Sequence, residues 1–374
     1  MSMFAQGMLQ DVFEGFVVYR NLVPVDHRLP AIDALRAKLG LGCGVLPRKA
    51  EPMYARVVGE ILHAARDILG IQRTIRHLLY IGDTLHNDVA AFSHLCQAMG
   101  WKGRAFIADE HCSKPIEIRQ LGERELLVSS TDWGDIEAFE RESTDAGLGC
   151  DASTVVVVDI DKTILGARGR NDHMIDRARQ QAAYEIACSV ADGTSLSETD
   201  FMQICGRINH PDFHALTDDN QDAIAYASLL VACGFYQADM LAVSVAQGRI
   251  RGMEGLVRDV DEQETSLPHR LGELHHSIRK RVEEGNPTPF TAFREAEYRC
   301  TAQLMGCLPD DAPRDAILNA EIAITEEVWT AVHEWKNRGC IIFGLSDKPD
   351  EACFPLDTNE KPIHGMRTHI LGGR

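Results

Sequence analysis

The sequence lacks the features that mark secreted, membrane-spanning or zinc-binding proteins. Its eleven cysteines are odd in number and include no C-x-x-C pair, so neither a disulfide framework nor a zinc-ligand spacing is predicted. The stretch MSMFAQGMLQDVFEGF lacks the basic start and long apolar run of a secretory signal. The stretch closest to a transmembrane helix, residues 223–246, is interrupted by Gly234, Gln237 and Asp239. We therefore expect a reduced, cytoplasmic protein without a membrane partner.

Basic residues are also scarce, with 38 Lys and Arg against 56 Asp and Glu, which gives a net charge of −18. An acidic surface of this kind disfavours nucleic acid or an anionic membrane as the main partner. It remains compatible with a small anionic substrate, because a local cation can reverse the field inside a site. The length of 374 residues and the hydrophobic content of 45% indicate about two structural units with a sizeable core.

Patterns of buried strands and helices alternate at both ends of the chain, whereas residues 171 to about 320 are almost entirely helical in pattern. The strand patterns include HLLYIGD (77–83), VVVVDID (155–161) and CIIFGLSDK (340–348). This alternation predicts an α/β fold with a parallel sheet that is covered on both faces, and the helical block predicts an insertion. The small, polar and glycine-containing stretch 143–153 predicts a linker.

Polar side chains stand at the end of each of these strand patterns. Asp159 and Asp161 end the valine run, Asp83 ends a second strand with Asp88 just beyond it, and Ser346 ends a third. The carboxyl ends of parallel strands meet at one edge of a sheet, where ligands bind. Carboxylates gathered there would repel one another, and their oxygens suit Mg²⁺ as ligands. One carboxylate is then available to attack phosphorus, while another transfers protons.

These segments resemble the four motifs of the haloacid dehalogenase-like (HAD) superfamily. DIDKT (159–163) resembles the first motif and IIFGLSDKP (341–349) the second. RKAEPMY (48–54) and YIGDTLHND (80–88) resemble the third and fourth. The resemblance implies a three-layer, Rossmann-like HAD core with a helical cap inserted between the first and second motifs. In the family, such caps close over the site, exclude water and select the substrate.

The resemblance also implies residue roles. Asp159 would be the nucleophile and Asp161 the general acid and base, with Mg²⁺ held by Asp159, Asp83, Asp88 and the Asp161 backbone carbonyl. The residues expected to bind the phosphoryl group or another anionic part of the substrate are Thr163, Ser346, Lys49, Arg168 and Arg170. The sequence leaves open whether Lys49, Lys348 or Arg48 supplies the positive charge to the phosphoryl group.

The order of the motifs differs from that of the family, because the third and fourth precede the first and the second comes last. The simplest account is a circular permutation, which chain termini that lie close together make geometrically feasible. It places the core in residues 1–150, 151–170 and 323–374, and the helical cap in residues 171–322. A swapped dimer, in which a neighbouring chain completes each site, is the alternative, and a homo-oligomer stays open.

The expected activity is Mg²⁺-dependent hydrolysis of a small phosphorylated metabolite through an aspartyl-phosphate intermediate. Asp161 favours phosphate esters over carbon–halogen bonds, because an alkoxide leaving group needs a proton and a halide does not. The alternatives are a phosphotransferase or phosphomutase of the same superfamily and a non-catalytic ligand-binding protein on the same fold. His111, His275 and His276 lack partners at metal-ligand spacing and predict no further metal site.

Overall fold

The chain forms two compact units in the computed structural model, which describes residues 5–110, 112, 115–191, 196–217, 220–263, 267–357 and 359–373. The first unit comprises Met1–Ile175, Ala302–Cys353 and Asn359–Arg374. The second comprises Asp176–Thr301 and Phe354–Thr358. The main segment of the second unit lies inside the predicted helical block, whereas residues 171–175 and 302–322 of that block belong to the first unit.

The first unit contains the strands of a mixed α/β fold. They are β1 (Gln6–Gly7), β2 (Val17–Val18), β3 (His77–Gly82), β4 (Lys102–Ala108), β5 (Ile116–Gly122), β6 (Glu125–Ser130), β7 (Thr154–Asp159), β8 (Ile324–Thr325), β9 (Ile341–Leu345) and β10 (Thr368–Leu371). Seven of them form one sheet in the order β2-β9-β7-β3-β4-β6-β5, in which only the β5–β6 pair is antiparallel. Strands β1, β10 and β8 form a small second sheet.

The valine run forms the interior strand β7, as predicted. Strands β9 and β3 pair with it in parallel on its two sides, and the register places Val157 beside Tyr80 and Phe343. All six residues of β7 are buried. The sequence shows no polar alternation here because neither face of the strand meets water.

Helices cover both faces of the large sheet. The helices of the first unit are α1 (Leu9–Phe13), α2 (Ile32–Leu39), α3 (Pro52–Ile68), α4 (Asn87–Met99), α5 (Ile136–Asp145), α14 (Arg314–Ala320) and α15 (Glu326–Asn337), and α6 (Asp172–Val190) begins in it. Val58 of α3 and Phe92 of α4 share a buried core with Val157. On the opposite face, Phe106 of β4 packs edge-on against Phe139 of α5. A parallel sheet covered on both faces is therefore confirmed.

The structure differs from the sequence pattern at two places around the sheet. Strand β5 pairs antiparallel with β6, yet none of its residues is buried, so its sequence carries no clear strand signal. Helix α5 continues to Asp145, and therefore the first residues of the predicted linker 143–153 are helical. Ser143 is buried there and donates its hydroxyl hydrogen bond to the Phe139 carbonyl at 2.7 Å.

The second unit is helical in the residues that the structure describes. Besides the rest of α6 and most of α13 (Thr291–Gln303), it contains α7 (Glu198–Ile208), α8 (His214–Thr217), α9 (Gln221–Ala232), α10 (Ala238–Ala246), α11 (Gly252–Asp261) and α12 (His269–Glu283). The apolar stretch 223–246 is divided between α9 and α10. Among the described residues, no helix is both long and apolar enough to cross a membrane.

A buried chain of alternating charges links three helices of the second unit. Arg294 of α13 donates through Nε to Asp222 of α9 at 2.5 Å and through Nη1 to Glu297 at 2.7 Å. The other oxygen of Glu297 accepts from Nε of Arg179 on α6 at 3.1 Å. Asp222, Arg294 and Glu297 are almost fully buried. Each of these charges therefore needs its charged partners, because water cannot reach it to solvate it if a partner is lost.

Replacing Arg294 by methionine should destabilise the protein strongly, because two carboxylates would then lose a buried partner. We expect a loss of about 3–5 kcal/mol in the free energy of unfolding, measured by urea denaturation of the full chain. Arg299 on the same helix is the matched control, since it is half exposed and lies 3.6 Å from Glu185. Arg299→Met should cost less than about 1 kcal/mol. Equal losses in the two variants would contradict the prediction.

Candidate active site

The carboxyl ends of three adjacent parallel strands bring the predicted polar residues to one edge of the sheet. Asp159 is the last residue of β7, Asp83 directly follows β3 and Ser346 directly follows β9. Since β7 pairs with both other strands, these ends are neighbours despite their separation in the chain. The arrangement places carboxylates and a hydroxyl where ligands of open parallel sheets bind.

Asp159 is buried and is held through both of its oxygens. Lys49 Nζ lies 2.5 Å from Oδ1, and the Thr163 hydroxyl donates to Oδ2 at 3.2 Å. Thr163 was predicted to bind the phosphoryl group, but its hydroxyl is directed to the carboxylate four residues before it. These two contacts hold the plane of the carboxyl group, so its orientation is set by the protein itself.

Lys49 connects Asp159 to a second carboxylate. Its ammonium lies 2.6 Å from Asp88 Oδ1 as well as 2.5 Å from Asp159 Oδ1. Burial opposes the charge of Lys49, but Asp159 and Asp88 outweigh it and raise the pKa of the ammonium well above its ordinary value. Arg48 is exposed, and Lys348 Nζ lies 3.7 Å from Asp161 instead. Of the three candidate cations, Lys49 is therefore the one that contacts Asp159.

Asp88, in the first turn of α4, accepts hydrogen bonds from several groups. Tyr80 OH donates to Oδ1 at 2.9 Å. Oδ2 accepts from the Thr84 amide at 2.9 Å, the Thr84 hydroxyl at 2.7 Å and the Asp83 amide at 3.1 Å. Burial alone would raise the pKa of Asp88, but Lys49 and the Thr84 bonds lower it below the ordinary value. Asp88 is therefore ionised, and it holds the turn that presents Asp83.

Asp83 is buried and contacts Arg168. Arg168 Nε donates to Asp83 Oδ2 at 2.8 Å, and Nη2 donates to the same oxygen. Burial and the nearby Asp88 raise the pKa of Asp83 to about 7, although Arg168 works in the opposite direction. Asp83 therefore takes up a proton more readily than an exposed carboxyl group does.

The three carboxylates form a group that fits a cation. Oxygens of Asp83, Asp88 and Asp159 all lie within 4.8 Å of one another. Burial raises the pKa of Asp159 well above its ordinary value; Lys49 opposes this effect, whereas Asp88 and Asp83 add to it. Lys49 and Arg168 thus leave part of the negative charge uncompensated. Carboxylate oxygens in this number suit a hard divalent cation, and the donor set does not select one such ion over another.

Asp161 and Ser346 lie beside this group and share a neighbour. Asp161 Oδ2 is 3.7 Å from Lys348 Nζ, and its side chain is partly exposed. Ser346 is buried, and its Oγ accepts a hydrogen bond from the Lys348 amide at 3.1 Å. Ser346 thereby shapes the turn after β9. The carboxylate of Asp161 does not join the group formed by Asp83, Asp88 and Asp159 among the described residues.

Arg170 is predicted from the sequence to contact substrate, but in the structure its guanidinium is paired with Glu327. Its guanidinium donates to both oxygens of Glu327, in each case at 2.9 Å, and to the Gly373 carbonyl at 2.9 Å. The pair is mostly shielded from water, and Glu327 lies in the first turn of α15. Arg170 therefore ties the loop after β7 to α15 and does not join the carboxylates.

Two of the three histidines named from the sequence lie in the described residues, and each has a partner within hydrogen-bond distance. His275 is buried between the hydroxyl of Tyr226, 2.6 Å from Nδ1, and Asp261 Oδ1, 2.9 Å from Nε2. It is a hydrogen-bonded core histidine of the second unit. His276 Nδ1 lies 2.7 Å from Arg279. His111 lies outside the described residues.

Three residues around the carboxylates were not identified from the sequence. Tyr80 and Thr84 hold Asp88, and both lie within the quoted fourth motif, so their position beside the acids was a usable signal. Tyr54 follows Lys49 at the start of α3 and is buried, and its hydroxyl has no hydrogen-bond partner among the described residues. Burial raises the pKa of Tyr54, and Lys49 opposes this effect. Tyr54 is the last residue of the quoted third motif, so the same signal was available for it.

A scan of the chain against protein-family models, a search of curated proteins and a search of solved structures each find no match.

Asp83 should make the cation-free protein less stable as the pH rises. Its pKa is about 7 in the folded protein against an ordinary 3.8, so the folded state binds more protons between these values. The contribution of Asp83 to the free energy of unfolding is largest at acidic pH. It is lost as the pH rises through 7, by at most about 4 kcal/mol. Urea unfolding in EDTA should show Asp83→Asn gaining stability relative to wild type between pH 5 and pH 8. Parallel pH profiles of the two proteins would rule this out.

Gly82 should tolerate no side chain, because a Cβ there would lie 2.6 Å from Asp88 Cγ and 2.7 Å from Asp88 Oδ2. Gly82→Ala would push Asp88 off its hydrogen bonds, and we expect a loss of about 1–3 kcal/mol in urea unfolding. Gly122, at the end of β5, is the matched control, since its added Cβ would meet nothing closer than 3.5 Å. Similar stabilities for Gly82→Ala and Gly122→Ala would contradict the close packing described here.

Proposed function

We propose that the protein is a phosphohydrolase of the HAD superfamily that acts on a small phosphorylated metabolite through an aspartyl-phosphate intermediate. The observation that carries the proposal is the environment of Asp159. Its carboxylate stands at the end of an interior parallel strand, in contact with Lys49 and within 4.8 Å of oxygens of Asp83 and Asp88. Carboxylates gathered out of water at a strand end, with pKa values raised by burial, are typical of functional sites.

We also propose that the chain is a circularly permuted member of that superfamily. The adjacency of β3, which precedes Asp83, to β7, which ends in Asp159, supports this, because β3 comes earlier in the chain. The adjacency of β9 and β7 supports it as well. The helical segment Asp176–Thr301 lies between the proposed first and second motifs in the chain, where the superfamily carries a cap.

In the first step, an oxygen of Asp159 attacks the phosphorus of the substrate while the bond to the leaving oxygen breaks. Lys49 stabilises the negative charge of the phosphoryl oxygens from its place beside Asp159 Oδ1, and the main-chain and side-chain groups around Ser346 line the same edge. Thr163 keeps the attacking carboxylate oriented through its bond to Oδ2. The result is a mixed anhydride between Asp159 and phosphate.

Asp161 transfers the protons of both steps. It gives a proton to the leaving oxygen in the first step, and in the second it takes one from a water molecule that attacks the anhydride. The bond between phosphorus and Asp159 then breaks and releases inorganic phosphate. Lys348, with Nζ 3.7 Å from Asp161 Oδ2, compensates the charge of Asp161 after it has lost its proton.

Asp159, Asp83, Asp88 and the Asp161 backbone carbonyl are the groups that would hold Mg²⁺. The ion would offset the charge of the carboxylates and of the phosphoryl oxygens. Among these residues, Asp88 is already saturated with hydrogen bonds from Tyr80 and Thr84. Asp88 therefore also positions Asp83 and Lys49.

The proposal predicts release of phosphate from a generic aryl phosphate that depends on Mg²⁺ and on Asp159. Asp159→Asn should lower kcat by at least about a thousandfold, because the nucleophile is lost. Asp161→Asn should lose roughly 10²–10⁴-fold on alkyl phosphates and less on aryl phosphates, whose leaving groups need little protonation. Phosphate release is measured colorimetrically across a panel of phosphorylated metabolites.

Asp151→Asn is the matched control, because Asp151 precedes the same strand at its opposite end and is partly exposed. It should retain wild-type activity. Full activity in Asp159→Asn, or no phosphate release from any member of the panel by wild type, would refute the hydrolase. Transfer of the phosphoryl group to an added alcohol in preference to water would identify a phosphotransferase instead.

A further inference from the structure

The guanidinium of Arg168 contacts Asp83, one of the three carboxylates that could hold a cation. Its Nε lies 2.8 Å from Asp83 Oδ2, and its Nη2 donates to the same oxygen. The same Asp83 contributes an oxygen to the group of three carboxylates. A guanidinium is a permanent cation, so it supplies one positive charge to this group whether or not an ion is bound.

The charges of the group explain why Arg168 and a divalent cation compete. Lys49 contacts Asp88 and Asp159, and Arg168 contacts Asp83, so with all three carboxylates ionised two positive charges stand against three negative ones. A divalent cation would turn this deficit of one into an excess of one. Moving the guanidinium away from Asp83 would bring the sum of charges back to zero. It would also separate two cations, which repel strongly when they lie a few ångströms apart in poorly hydrated surroundings.

A second carboxylate lies within reach of the displaced side chain. Arg168 Nη1 is 3.8 Å from Glu110 Oε1, and Glu110 is more exposed than Asp83. The main chain of Arg168 is fixed, since its amide donates to the Lys162 carbonyl at 2.9 Å and its carbonyl accepts from Trp133 Nε1 at 3.1 Å. Rotation of the side chain alone can therefore move the guanidinium from Asp83 towards Glu110.

We propose that Arg168 is the internal counter-cation of the group formed by Asp83, Asp88 and Asp159, and that a divalent cation binds by displacing its guanidinium from Asp83 to Glu110. The inference rests on the proposed cation site, and it adds a positioning role that the motifs do not assign. Arg168 keeps the acids close together before the ion arrives, and its departure is part of the free energy of ion binding.

Calorimetric titration of the metal-free full chain with MgCl₂, at constant ionic strength, tests directly whether the cation exchanges with the Arg168 guanidinium at Asp83. We call this displacement the exchange. Arg168→Gln should bind Mg²⁺ roughly tenfold more tightly than wild type, because no guanidinium must be displaced. Arg168→Lys should stay close to wild type, since a cation remains. Arg170→Gln is the matched control, because it removes the same charge two residues away from a side chain paired with Glu327. It should leave the affinity nearly unchanged.

Glu110→Gln tests the destination of the side chain. It should weaken Mg²⁺ binding by a few fold, because the displaced guanidinium loses its new partner. The loss of affinity should be smaller in the Arg168→Gln background, which has no guanidinium for Glu110 to bind. The melting temperature of each variant, measured in EDTA, checks that it is folded.

The outcomes separate the exchange from the proposed function. If wild type binds Mg²⁺ and Arg168→Gln binds it no more tightly than Arg170→Gln, the exchange is wrong and the cation site stands. Weaker binding by Arg168→Gln overturns the exchange in the same way. If neither wild type nor Arg168→Gln binds Mg²⁺, the cation site is wrong, and the proposed function fails together with the inference.

Discussion

Three carboxylates held together out of water are the constraint on which the edge of the sheet depends. Oxygens of Asp83, Asp88 and Asp159 within 4.8 Å of one another would drive the chain to protonate or open unless their charge were offset. Lys49 contacts two of them and Arg168 the third, so the negative charge is offset only in part. Each partner comes from a different segment, so the site is also a cross-link between the strand ends, α4 and the segment before α3.

The parallel pairing of β3 with β7 brings Asp83 and Asp159 together, because each of them lies at or just after the end of a strand. Asp159 ends β7, and Asp83 is the first residue after its neighbour β3, so their side chains emerge at almost the same level of the sheet. The turn that follows β3 then folds back, and Asp88 accepts the amide hydrogens of that turn. Gly82 makes this return feasible because the carboxyl group of Asp88 packs where a side chain would stand.

The sequence predicts the strand ends well and the long-range pairing of cations poorly. A continuous run such as that of β7 and the acids adjoining it are local properties, and they suffice to predict a parallel sheet with Asp83 near Asp159. Whether Lys49 or Lys348 meets Asp159 depends on how distant segments pack. The same holds for Arg170, whose partner Glu327 lies 157 positions further along the chain. A basic residue in a loop carries no local signal of which carboxylate it will meet.

The β2–β9–β7 arrangement has a consequence for synthesis on the ribosome. Strands β3, β4, β6 and β7 pair with one another from segments made early, whereas Val17 of β2 must wait for Gly344 of β9. Helices α7 to α12 are translated in the interval. The growing chain therefore exposes one unpaired flank of its sheet until nearly the whole polypeptide has emerged, and unpaired strand edges of this kind are prone to incorrect pairing.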